Sequence, residues 1–133
     1  MKRITCLLIT LILVLGVMGC ASMQITKDMP AVQKADLVLQ DIESGLVIAG
    51  EARNIALAAF PDKAAEISSK TETAFKVANT AVGVLRDAVT AWYATGEAID
   101  IQDWSVMTGA ARKAVTDVVV LVAELRAEYA AKK

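Results

Sequence analysis

The chain has 133 residues, 14 basic against 15 acidic, with no His and two Cys, and 56% of it is hydrophobic although only 5% is aromatic. That length holds one domain, the apolar fraction argues against disorder, and a net charge of −1 leaves no basic footprint for nucleic acid. Without His, the commonest general base and the commonest metal ligand are both missing. A mean hydropathy of +0.48 is high for a soluble domain and points to a membrane or targeting segment.

That segment comes first. Lys2 and Arg3 precede an apolar run from Ile4 to Met18, interrupted by Thr5, Thr10 and Gly16. A transmembrane helix needs about 20 apolar residues, whereas a short run with a basic start and a small-residue end is the layout of a secretory signal. The run closes on Val17-Met18-Gly19-Cys20, which resembles the lipobox of bacterial lipoproteins. The resemblance covers about the first 20 residues and concerns processing alone. It implies cleavage after Gly19, a diacylglyceryl thioether on Cys20 and an acylated new amino terminus. Ala21 follows rather than Asp, which by the same resemblance implies export to the outer membrane, facing the periplasm. Cys6 would leave with the signal and Cys20 would be a thioether, so no free thiol is expected to remain for a disulfide or a nucleophile.

The chain is accordingly expected to divide into a signal (1–19), a lipid-anchored tether (20–29) and a helical domain (30–133). Without Lys2 and Arg3, twelve basic residues face 15 acidic ones, a net charge of −3. Alanine, a strong helix former with no polar group to bury, recurs throughout, and no stretch alternates long enough to predict a strand. Asp28-Met29-Pro30 is a helix start. From it Val32, Ala35, Leu39, Ile42, Leu46 and Ala49 follow a 3-4 spacing, continued by Ala52, Ile55, Ala56 and Ala59, with the stripe drifting past Gly50. Phe60-Pro61 ends this helix, and Asp62 is placed to cap the next.

In the second helix Ile67, Thr71, Ala74, Ala78, Ala81, Leu85, Ala88 and Trp92 form a heptad-like seam, closed by Thr95-Gly96. Asp100 opens the third, whose stripe is Trp104, Met107, Ala111, Val115, Val118, Val122, Leu125 and Tyr129. The spacing therefore predicts an all-α, up-down-up bundle of three long Ala-rich helices over about 30–59, 62–95 and 101–131, each on the order of 45 Å long. Leu46-Val47-Ile48-Ala49 and Val118-Val119-Val120-Leu121-Val122 are apolar on every face. That exceeds what a thin bundle is expected to bury, and it predicts self-association, an envelope partner or a membrane contact through the first and third helices.

No catalytic template is present: no Gly-x-Ser-x-Gly, no phosphate-binding Gly loop, and no His beside Ser44, Ser68, Ser69 or Ser105. No cofactor is called for. Glu97, Asp100 and Asp103 have the ligand chemistry for a hard cation, but Asp100 as a helix cap, with acids at the positive helix end, accounts for them without metal. Trp92, Tyr93 and Trp104 flank the second interhelical loop. They read as a plug closing the bundle, or as a membrane-proximal aromatic cluster. Tyr129-Ala130-Ala131-Lys132-Lys133 on an Ala-rich chain resembles the end of Braun-type murein lipoproteins, which implies a cell-wall link through Lys133, although Phe60-Pro61 and Thr95-Gly96 break the continuous helix of that class. The expectation is a non-enzymatic, lipid-anchored envelope protein acting by interaction or as a structural element. The alternatives are an exclusion or protective lipoprotein carried by a phage or mobile element, and a peptidoglycan-linked tether.

Overall fold

The computed structural model describes residues 29–132, which form three long helices: α1 (Ala31–Ala59), α2 (Ala64–Thr95) and α3 (Ile101–Ala131). A 3-10 turn, Pro61–Lys63, joins α1 to α2, and residues 96–100 join α2 to α3. Each helix packs on both others, so the bundle is a closed triangle in section with α2 antiparallel to its neighbours. The expected signal (1–19) and all but the last residue of the expected tether (20–29) lie outside the described residues. Among the described residues no helix is long and apolar enough to cross a membrane.

The helix ends follow local chemistry. Pro30 stands just before α1 at φ −54° and ψ 144°, and its carbonyl accepts from Gln33 N and Lys34 N. Asp28, which opens the expected helix start, is outside the described residues. Asp62 does not cap α2. Pro61 locks φ where a 3-10 turn begins, Lys63 N donates to Phe60 O at 2.9 Å, and α2 starts at Ala64, two residues later than the spacing predicts. Gly96 ends α2 at φ +71°, a left-handed conformation that favours glycine. Asp100 caps α3: its Oδ1 accepts from Gln102 N at 2.8 Å and Asp103 N at 3.4 Å.

The core runs the length of the triangle. Ile42, Ala49, Ile67, Ala78, Leu85, Ala111, Val115 and Val118 are fully buried along it. On α1 the stripe does not drift past Gly50. Ala35, Ile42, Ala49 and Ala56 are buried at strict seven-residue steps, which leaves Ile55 54% exposed and Ala59 outside. On α2 the seam includes Val82 and Val89, fully turned in, while Ala81 and Ala88 are only half-buried. A helix facing two neighbours buries a wider stripe than the single seam of a paired coil, and the larger side chains take its centre. At Gly45 α1 comes close to α3: a Cβ placed there would stand 3.1 Å from Val115 Cγ1.

The valine run of α3 is better absorbed than its sequence suggests. Val118 and Val122 are core, Val119 and Leu121 pack against it, and only Val120 stands out at 47% exposure. Among the four apolar residues singled out on α1, Ala49 is buried and Leu46 packs on the core, but Val47 and Ile48 face outward.

Candidate functional site

Val17, Met18, Gly19 and Cys20, which carry the expected lipidation signal, lie outside the described residues, as does Lys133. The candidate positions within them fall at the two ends of the bundle and on the outer face of α1.

At the end where α1 begins, α2 turns into α3. Trp92 and Trp104 are half-buried and pack against the main core, so both indoles close the end of the bundle. Tyr93 does not join them: it is 52% exposed. The loop between is held by its own polar groups. Thr95 Oγ1 donates to Ala91 O at 2.8 Å and accepts from Glu97 N at 3.1 Å. Asp100 is engaged as the cap of α3. Glu97, Asp100 and Asp103 do not converge, and among the described residues no three metal-ligating side chains are grouped for a cation. Beyond the loop Ile101 is 82% exposed and Val106 65%. Sequence reasoning passed over both because neither lies on the helix seam.

The opposite end is polar and interlocked. Tyr129 is buried against Ala56, Ile67, Leu125 and Phe60, with its ring 5.9 Å from that of Phe60. Lys70 and Lys132 each place an ammonium 5.8 Å from the Tyr129 ring centre, and Lys70 Nζ donates to its hydroxyl at 3.4 Å. Glu66 takes Lys70 at 2.7 Å, and Glu128 takes Lys132. Hydrogen bonds from Lys70 and then Tyr129 hold the Glu66 carboxyl below its ordinary range, and the Glu66 bond holds Lys70 above its own. Lys132 lowers Glu128 and is raised in turn, while burial pushes the Tyr129 phenol up. Lys132, within the C-terminal stretch singled out in the sequence, is thus the last cation of this cluster. The sequence hinted at it through Glu66–Lys70 and Glu128–Lys132 at i,i+4. That both cations meet one tyrosine is a tertiary fact.

On the flanks, Glu43 of α1 accepts from Arg86 Nε of α2 at 2.7 Å. Gln40, Glu43, Ser44, Val47, Ile48 and Glu51 line a shallow groove open to solvent along the outside of α1. Asp41 faces Arg112 of α3, but burial outweighs that cation and lifts the carboxyl above its ordinary value. Arg53 occupies the position seven residues after Leu46, on the flank of the seam. Its guanidinium lies 5.3 Å from the ring centre of Phe75, and its Nε is buried without a hydrogen-bond partner. A stripe read only for apolar residues skips Arg53, although its heptad position could have exposed it. The groups assembled here can hold helices together and present surfaces. Ser44 Oγ donates to Gln40 O and Thr71 Oγ1 to Ile67 O, both local helix bonds. Comparison with protein-family models, curated proteins and solved structures finds no match to this chain.

Proposed function

We propose that this chain is a lipid-anchored bacterial envelope protein, held at the periplasmic face of the outer membrane through Cys20, and that it works by protein–protein contact rather than by catalysis. The observation that carries the reading is Val17-Met18-Gly19-Cys20 at the end of a short apolar run that begins with Lys2 and Arg3. Several acyl chains on one Cys give a firm anchor, since each buried CH₂ contributes about 0.8 kcal/mol and one chain alone holds marginally. Supporting an interaction role, the outer face of α1 exposes Val47 and Ile48 between acidic residues Glu43 and Glu51, and Ile55 a turn beyond. These side chains add nothing to the core of the bundle.

Metabolic labelling with palmitate tests the anchor. Label should enter the protein, disappear in Cys20→Ala, and follow the outer-membrane fraction on a density gradient. A wild-type chain without label would refute it. Photocrosslinking from positions 47 and 55 in cells tests the interaction role. Discrete adducts, with a second copy or with an envelope protein, are expected, and their absence from every α1 position tried would refute it.

A further inference from the structure

We propose that the α2–α3 corner makes a second contact with the bilayer, end-on, through Ile101 and Tyr93, so that the bundle stands on the membrane instead of swinging from its tether. The proposal rests on the anchoring of Cys20 argued above. Its own support is the difference between the two ends of the bundle.

Cross-helix pairs set the levels. Glu43 meets Arg86, and Gly45 meets Val115. At 1.5 Å per residue these levels bring Pro30, the loop 96–100 and Ile101 to the same end. Pro30 lies ten positions after Cys20, a contour of at most about 35 Å, so an anchored Cys20 keeps this end near the lipid. The end exposes apolar side chains among acidic ones. Among the described residues Ile101 is the most exposed of the large apolar side chains at 82%, Tyr93 in the last turn of α2 is 52% exposed, and the half-buried Trp92 and Trp104 pack against the core at the same end. Folding does not require a β-branched apolar residue in the first turn of α3, where an acid would suit the helix dipole better. An aliphatic tip with a tyrosine at its rim suits the zone between acyl chains and headgroups.

At the opposite end the exposed aliphatic side chain, Ile55, lies a turn back along α1 rather than at the tip. There Tyr129 is buried and the outward groups include Asp62, Lys63, Lys70 and Lys132. Glu97, Asp100 and Asp103 ring the lipid-side corner, and they oppose anionic headgroups. The surface that fits this corner is therefore a zwitterionic one.

The test uses the full lipid-modified protein, reconstituted in phosphatidylcholine vesicles that contain a doxyl-labelled lipid with the quencher near the headgroup. Trp92 and Trp104 are the only tryptophans and both report on the corner. Their emission should be quenched, and the quenching should be lost in Ile101→Asp combined with Tyr93→Ser, while the protein still floats with the vesicles. Asp at the first helical position favours the helix start, and circular dichroism of the variant checks its fold. Val47→Asp, mid-bundle, should retain full quenching. Flotation without quenching, or equal loss in Val47→Asp, overturns the contact alone. Failure to float overturns the anchor and the contact with it. Stronger quenching in phosphatidylglycerol vesicles than in phosphatidylcholine would overturn the zwitterionic preference that the acidic ring implies.

Discussion

Five glycines lie among the described residues, and four sit inside helices, where glycine is about 1 kcal/mol less favourable than alanine. Their surroundings separate them. A Cβ at Gly50, Gly83 or Gly109 would meet nothing within 4 Å, whereas at Gly45 it would stand 3.1 Å from Val115 Cγ1. Val115 is fully buried and branched at Cβ, so it cannot swing aside without disturbing its own neighbours. Alanine at 50, 83 and 109 should therefore stabilise by roughly 0.5–1 kcal/mol each, and the triple variant by about 1.5–3 kcal/mol. For a domain near 100 residues that raises Tm by about 10 °C. Gly45→Ala gains the same helix propensity but takes an overpacking penalty of about 1–3 kcal/mol, and is expected to lower stability by up to about 2 kcal/mol. Urea unfolding followed by circular dichroism, with m-values compared to check two-state behaviour, measures all four. A Gly45→Ala chain as stabilised as the others would refute the close approach of α1 and α3. A destabilised Gly83→Ala or Gly109→Ala would mean those positions pack against something that the single chain does not contain.

Three further outcomes follow from named contacts. Asp41→Asn should stabilise at neutral pH. Its raised pKa means the folded chain holds the proton more tightly, so the stability from the protonated acid is full below the ordinary value of 3.8 and is lost as pH rises through the folded value. The advantage of Asn should thus be larger at pH 7 than at pH 3 in paired urea titrations, and a pH-independent difference would contradict the desolvation of this half-buried carboxyl. Arg53→Met keeps the stem's packing and removes the orphaned Nε, whose burial costs about 1–3 kcal/mol, while losing roughly 0.5–1 kcal/mol of attraction to Phe75. A net gain of about 1 kcal/mol is expected, and a loss would show that the guanidinium has a partner. Asp100→Ala removes the cap of α3 and should cost about 1 kcal/mol, with amide exchange accelerating first at Gln102 and Asp103.

Several features were legible without coordinates because their causes are local. Phe60-Pro61 stops α1, Thr95-Gly96 stops α2 and Asp100 starts α3 through backbone restrictions that involve only a few neighbouring residues. The third stripe, from Ala111 to Tyr129, is buried as its spacing predicts. The misplacements have a common origin. Asp62 was read as a cap because Asp favours that role, but the 3-10 turn begun by Pro61 shifts the helix start past it. Ile55 was read as core and Val82 and Val89 were passed over, because periodicity locates a stripe without fixing its centre.

The sequence by itself determined that the described chain is three helices of nearly these lengths, joined by connections short enough to force an up-down-up course. Hydrogen-bonded turns, caps and the absence of strand alternation act over four or five residues and need no partner. Only the tertiary structure decided how each stripe rotates toward two neighbours at once. That rotation turns Arg53 onto Phe75, brings Lys70 and Lys132 to one tyrosine, and leaves Ile101 and Tyr93 bare at the end where α1 begins. Those placements depend on which side chains fill a shared core at native density, a condition that couples residues far apart in the chain and that no local pattern records.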